Sequence, residues 1–240
     1  MGEFSRESES GQERMTEGIL RPASTVVIVR DGRGADAFEV LMVRRNDRVA
    51  FMAGAYVFPG GRVDDGDLAQ AHGDATRAYQ LAAVREVQEE AGVIIDPANL
   101  ILFAHWVTPE VETRRYDTRF FLVRMPYGQQ AQHDAGETTE HAWLTPREAI
   151  ERCMRGEIML PPPTWTTLKR MQRHRTADEL FSWARSVAII PRVQPQLFQS
   201  EHESLLTLPG DPMYPTLDGW EVPEETRFVL QNGRWRPVKS

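Results

Sequence analysis

The chain has 240 residues, 41% of them hydrophobic and 26% charged, enough to build one large domain or two small ones around a packed core. With 28 basic and 35 acidic residues its formal charge is −7, which excludes nucleic-acid binding driven by bulk electrostatics but leaves room for a local basic pocket. It has no run of 18 apolar residues to span a membrane, and its single cysteine, Cys153, cannot form an intrachain disulfide.

Residues 1–18 are rich in Ser, Glu, Arg and Gly without apolar periodicity and read as a disordered tail. No composition shift divides the remainder, so residues 19–240 read as one domain with an extension from about residue 161. The polar N-terminus lacks an apolar signal region, and the chain does not end on a peroxisomal address, so a cytoplasmic location is expected. Residues 25–30 (TVVIVR) read as a buried strand, residues 31–34 as a turn and residues 39–44 as the hairpin partner. Arg44 and Arg45 leave that strand as a basic pair, either an exposed strand end or a contact for a phosphate. A short aromatic strand follows and runs into Pro59-Gly60-Gly61 and an acidic turn, where paired glycines let the backbone pass close to a ligand or metal.

The main helix is expected over residues 75–91, capped by Asp74 or Thr76 and stopped by Gly92. It carries Glu86, Glu89 and Glu90 at i, i+3 and i+4 beside Arg85. At about 100° per residue the three carboxylates fall within an arc of roughly 100° and point at one small volume. Like charges so placed repel by a few tenths of a kcal/mol per pair. They form either a solvated acidic face with Arg85 partnering Glu89, or an oxygen cage for a hard divalent cation.

Beyond the helix, strands are expected over residues 93–95, 100–107 and 119–124, with a polar loop over 108–118 that brings Arg114, Arg115 and Arg119 within reach of one another. Residues 129–139 read as a second polar loop and residues 140–144 as a strand. Residues 145–148 open a helix with a capping-box pattern, and Pro161-Pro162-Pro163 ends that element. Helices over 164–173 and 176–186 follow, then strands within 187–193, 204–208 and 227–238, the last folded at Asn232-Gly233.

Gly61, five residues, Asp67, a spacer and then Arg85-Glu86-Val87-Gln88-Glu89-Glu90-Ala91-Gly92-Val93 resembles the Nudix box. That family pattern is Gly, five residues, Glu, seven residues, then Arg-Glu-apolar-any-Glu-Glu-any-Gly-apolar. The second half matches fully. In the first half Asp67 stands where Glu is usual, and residues 68–84 make a spacer of 17. The enlarged spacer, FMAGAYVFPGG before it, and Thr108-Pro109 and RRYDTRFF (114–121) after it resemble one branch of the family, which includes peroxisomal coenzyme A diphosphatases and bacterial relatives. Ile190-Pro191-Arg192-Val193 and Leu208-Pro209-Gly210-Asp211 extend the resemblance, which covers roughly residues 22–215.

The resemblance implies an α/β protein with the Nudix fold: a mixed β-sheet sandwiched between helices, with a C-terminal extension. It implies Mg²⁺- or Mn²⁺-dependent hydrolysis of a small nucleoside diphosphate linked to another group. Glu86, Glu89 and Glu90 would bind metal, with a backbone carbonyl from Gly60 or Gly61, and Arg85 would orient the loop-helix-loop. Candidates for the general base are Glu89 and Glu90 in the box and Glu137 and Glu140 outside it, with Glu89 favoured. Coenzyme A or an acyl-coenzyme A is the leading substrate class. NAD(H), ADP-ribose or a nucleotide sugar is an alternative, as is a nucleotide-binding regulator with little turnover. Arg114, Arg115 and Arg119 could pair with a 3′-phosphate or be ordinary loop charges. Phe51, Tyr56, Trp106 and Trp165 could stack on adenine or pack the core. His105, His133 and His141 lack metal-ligand spacing. Family members are often dimers, so a homodimer is one expected assembly.

Overall fold

The computed structural model describes residues 19–32, 38–46, 54–132, 138–199 and 203–238. The tail over 1–18 and the candidates Phe51, His133 and Glu137 lie outside these residues. β1 (Leu20–Asp31) is longer than its apolar run, and β2 (Phe38–Arg45) pairs antiparallel with it from Val29↔Val40 to Asp31↔Phe38. β3 (Tyr56–Val57) lines the edge of β2. The glycine pair is itself strand: β4 (Gly60–Arg62) lies antiparallel on Ala23–Thr25 of β1. Two helices follow, α1 (Asp65–Gln70) and α2 (Ala75–Ala91). β5 (Ile101–Val107), β6 (Arg115–Arg124) and β7 (Thr138–Leu144) complete the central strands, and α3 (Pro146–Met154) closes this part of the chain.

The extension holds α4 (Pro162–Met171), α5 (Ala177–Ser186) and β8 (Arg192–Val193). A small antiparallel sheet follows, formed by β9 (Gln196–Gln199), β10 (Ser204–Thr207), β11 (Arg227–Gln231) and β12 (Arg234–Val238). The main sheet runs β3-β2-β1-β6-β5-β8, with β4 also on β1 and β7 also on β2. It is mixed, because β1–β6 and β5–β8 are parallel and the other pairs antiparallel. Strand alternation divides the residues between two cores. Val26 and Ile28 of β1 face α2, whereas Val27 and Val29 face the helices of the extension.

α2 has the expected bounds, for the expected reasons. The Asp74 side chain accepts from the Arg77 amide at 3.1 Å, and Gly92 ends the helix in the left-handed region. Elsewhere the structure corrects the expectations. Residues 93–95 form no strand: the Gln129 side chain bonds both the N–H and the carbonyl of Ile94, at 2.8 and 2.9 Å, and so occupies the groups a neighbouring strand would need. Residues 115–118 belong to β6 rather than to a loop. The three prolines start a helix instead of ending one, since α3 has already stopped at Met154 and proline at a first turn gives up no helical bond. Of residues 187–193 only Arg192 and Val193 are strand.

Candidate active site

The site forms where α2 crosses the β1–β4 pair. A Cβ at Gly60 would stand 2.2 Å from the Ser24 carbonyl oxygen, and its φ of +155° is one that side chains rarely adopt. Only glycine lets β4 lie this close to β1. At Gly61 the missing side chain makes room for something else, because a Cβ there would sit 2.3 Å from the Glu86 carboxylate. The Gly60 N–H also donates to Glu90 Oε2 at 2.9 Å. Two carboxylates of the helix are thus seated directly on the glycine pair.

Arg85 braces this contact. Its Nη2 donates to Asp67 Oδ2 at 2.9 Å and to the Arg62 carbonyl at 2.8 Å. Its Nη1 reaches Glu86 Oε1 at 2.9 Å and Glu89 Oε2 at 3.1 Å. These partners differ in weight. The Glu89 side chain is 56% exposed, so its pair contributes about 0–1 kcal/mol. Asp67 is buried, and removing the partner of a buried charge costs about 3–5 kcal/mol. Asp67 is therefore the anchor of Arg85, and the bond to Glu89 is exchangeable. Burial works against the charge on Arg85, but its bonds to Asp67 and Glu86 outweigh this and keep the guanidinium protonated.

Asp67 is held in turn by a reciprocal capping box with Asp64. The Asp67 amide donates to Asp64 Oδ1 at 2.8 Å, and the Asp64 amide to Asp67 Oδ2 at 3.0 Å. The 17-residue spacer is not a long loop. It comprises the rest of α1, a break at His72 and Gly73, the Asp74 cap and the first part of α2. A shorter acid and a longer, folded spacer together bring the carboxylate to Arg85.

Among the described residues no three Asp, Glu, His or Cys side chains converge on one point, because Arg85 holds Glu86 and Glu89 while the Gly60 N–H holds Glu90. The donors nonetheless fit a hard divalent cation. They are carboxylate oxygens on adjoining turns of one helix, beside a backbone cradle that a single Cβ would fill.

The other candidates are scattered. Arg114 is exposed. Arg115 is 7% exposed and turned to the Thr108 carbonyl, so it is not placed to meet a substrate. Arg119 lies over the Tyr79 ring, 4.1 Å from its centroid, with Nη1 3.4 Å from Thr76 Oγ1. Arg44 is half-buried and paired across strands with Tyr56 and Glu140. The Arg45 Nε is buried and has no hydrogen-bond partner among the described residues. Glu140 accepts from the Tyr56 hydroxyl at 2.9 Å, and Tyr56 belongs to the core on the far side of the sheet from α2. Glu140 shares that face by alternation with Ala142 and Leu144, so it is not brought to the box. Burial first, then the Glu140 carboxylate, pushes the Tyr56 hydroxyl pKa up. Tyr56, Trp106 and Trp165 are core residues, none above 5% exposed, and offer no face to adenine.

Two features escaped the sequence reading. The Asp64–Asp67 box had a local signal, since its i, i+3 spacing is that of a reciprocal cap. The other is a network around Asp117, which accepts from Tyr79 at 3.3 Å and Arg192 at 3.3 Å and lies 2.6 Å from His105 Nε2. It joins α2, β5, β6 and β8, and no sequence spacing announces it. Burial pushes the Asp117 carboxyl upward, but bonds from His105 and Arg192 outweigh this and hold it below its usual range.

A family model described as the NUDIX domain matches residues 20–161, more than half of the chain. The chain is 23% identical to acyl-coenzyme A diphosphatase NUDT19 of Xenopus laevis, over 74% of this chain and 72% of that protein. It is 25% identical to the human protein of the same name, over 75% and 73%. Among solved structures, a NUDIX hydrolase from Alicyclobacillus acidocaldarius superposes with a TM-score of 0.63 at 26% identity, covering 69% of this chain and 96% of that one.

Proposed function

The chain belongs to the Nudix hydrolase family, and from that premise we propose that it cleaves the pyrophosphate of coenzyme A or an acyl-coenzyme A at a Mg²⁺ or Mn²⁺ centre held by Glu86, Glu89 and Glu90. The observation that carries the centre is the seating of Glu86 and Glu90 on Gly60-Gly61 while Arg85 stays anchored on buried Asp67. Support for the substrate comes from the two relatives named acyl-coenzyme A diphosphatase, matched over about three quarters of the chain.

A divalent cation bound here neutralises the pyrophosphate and acidifies a water. The chain supplies the rest. Glu89 is the most exposed carboxylate of the three, and with its Arg85 bond exchangeable it is the group that takes a proton from the attacking water. Arg85 keeps the helix carboxylates oriented through Asp67 and the Arg62 carbonyl. The glycine pair, with the Gly61 carbonyl as a further oxygen donor, lets the reacting phosphate approach the backbone. Arg114 and Arg119 are the candidates for the 3′-phosphate and Arg45 for the pyrophosphate, whereas buried Arg115 has no such role.

The test incubates the protein and Mn²⁺ or Mg²⁺ with coenzyme A, NADH, ADP-ribose and nucleoside triphosphates. Coenzyme A should yield 3′,5′-ADP and phosphopantetheine, and Glu89→Gln should slow this by about 10²-fold or more. Preference for ADP-ribose or NADH overturns the substrate, and turnover indifferent to both Glu89→Gln and Glu90→Gln overturns the centre.

A further inference from the structure

We infer that Tyr79 is a positioning residue for the carboxylate centre, and that Asp117 ties it to the C-terminal extension; this rests on the metal-centre reading above. Tyr79 lies in the first half of α2, upstream of Arg85. It is gripped three ways. Its carbonyl accepts from Ser24 Oγ at 2.6 Å, its hydroxyl donates to Asp117 at 3.3 Å, and its ring lies under the Arg119 guanidinium at 4.1 Å.

Those grips stand in line with the glycine cradle. Ser24 pairs with Gly61 on one side and with Arg119 on the other, so Gly61, Ser24 and Arg119 form one row across β4, β1 and β6. Two strand spacings of about 4.8 Å separate the ends of that row. Glu86 follows Tyr79 by seven residues on the same helix face, a rise of about 10 Å. The helix therefore lies along the row, with Tyr79 over Ser24 and Arg119 and Glu86 over Gly61. Fixing Tyr79 fixes where Glu86 and Glu90 meet the glycines. Asp117 passes the hold outward. It also takes Arg192 Nε at 3.3 Å, and Arg192 belongs to β8, paired with His105 of β5. The extension thereby bears on the helix that carries the carboxylates.

The experiment measures Mn²⁺ affinity of the full chain by EPR titration, with kcat and KM for coenzyme A alongside. Tyr79→Leu keeps the helix and much of the bulk but loses the ring and hydroxyl. It should weaken Mn²⁺ binding about tenfold and lower kcat to match, as loss of an outer partner of a metal ligand does. Tyr79→Phe, which keeps the ring and the Ser24 bond, should restore most of both, and Arg192→Ala should give a smaller, same-signed loss. Ile150→Ala, in the opposite core, is the control for lost stability alone and should leave Mn²⁺ affinity unchanged. Mn²⁺ affinity in folded Tyr79→Leu within twofold of the parent, or reduced no more than in Ile150→Ala, overturns the inference. Should Tyr79→Leu not fold, Ser24→Ala removes one of the same grips, and unchanged affinity there overturns it equally. Failure of the parent to bind Mn²⁺ at all, with Glu90→Gln no different, instead brings down the centre and this inference with it.

Discussion

On one face of the main sheet, α2 presents Ala83, Val87 and Ala91 to Val26, Ile28, Leu41 and Phe121. On the other, α4 and α5 present Trp165, Leu168, Leu180 and Phe181 to Phe103, Trp106 and Phe120, with Trp220 packed edge-on against Trp106. The small residues let the α2 axis come close to β1 and β4, and that closeness puts Glu86 against Gly61 and Glu90 on the Gly60 N–H. The aromatic side fills its gap by bulk and leaves Trp165 Nε1, Thr166 Oγ1 and Arg170 Nε buried without hydrogen-bond partners among the described residues. The difference teaches where accuracy is spent. The α2 face fixes the place of Glu86 and Glu90, and the aromatic face fills the larger core.

That contrast can be broken or sharpened by substitution. Phe181→Ala, on the aromatic face, should cost about 3–5 kcal/mol of stability, read by urea unfolding, with Mn²⁺ affinity of the remaining folded protein unchanged. A large loss of metal affinity there would erase the distinction between the faces. Gly61→Ala should leave the unfolding midpoint almost in place but drive a Cβ into the Glu86 carboxylate, lowering kcat about 10²-fold, as ångström-scale misplacement does. Near-parental turnover would mean that Glu86 need not sit on Gly61. Ala83→Leu overpacks the close side and should cost about 1–3 kcal/mol, with Mn²⁺ affinity falling alongside, since the helix must lift. Stability lost without any change in affinity would separate helix height from the site.

The smallest effect is a pH dependence within the extension. Burial pushes the Asp211 carboxyl upward, but the Arg227 guanidinium and the Met213 amide outweigh it and depress its pKa. A depressed carboxylate contributes stability above its unfolded pKa of about 3.9 and loses it as pH falls through the folded value. Thermal unfolding midpoints should therefore drop below about pH 4, and Asp211→Asn should flatten that drop. An unchanged acid slope in the variant would remove Asp211 as its source.

The central helix was legible because its signals are local: a cap at Asp74, a stop at Gly92 and carboxylates at helical spacing between them. The β11–β12 hairpin was legible from Asn232-Gly233, and α3 from its Thr145 cap and Pro146. Residues 93–95 misled because their β-branched run met a Gln129 side chain from another segment instead of a strand, a competition no local pattern records. Arg115 looked available because its loop is polar, but β6 begins there and turns it inward. Glu140 looked like a base because it is acidic and downstream, yet strand alternation sends it to the opposite face.

The order of Arg85, Glu86, Glu89, Glu90 and Gly92, with Gly60-Gly61 upstream, carried the resemblance to the family, and helical periodicity alone put the three carboxylates on one face, because periodicity and glycine's conformational range act within a few residues. What Asp67 does in place of Glu, how 17 residues fit where seven are usual, and which arginines stay at the surface were decided only in the tertiary structure. Each depends on a partner brought close by β-pairing and helix packing: Arg85 for Asp67, Ser24 and Asp117 for Tyr79, the Thr108 carbonyl for Arg115. Distance along the chain says nothing about those meetings.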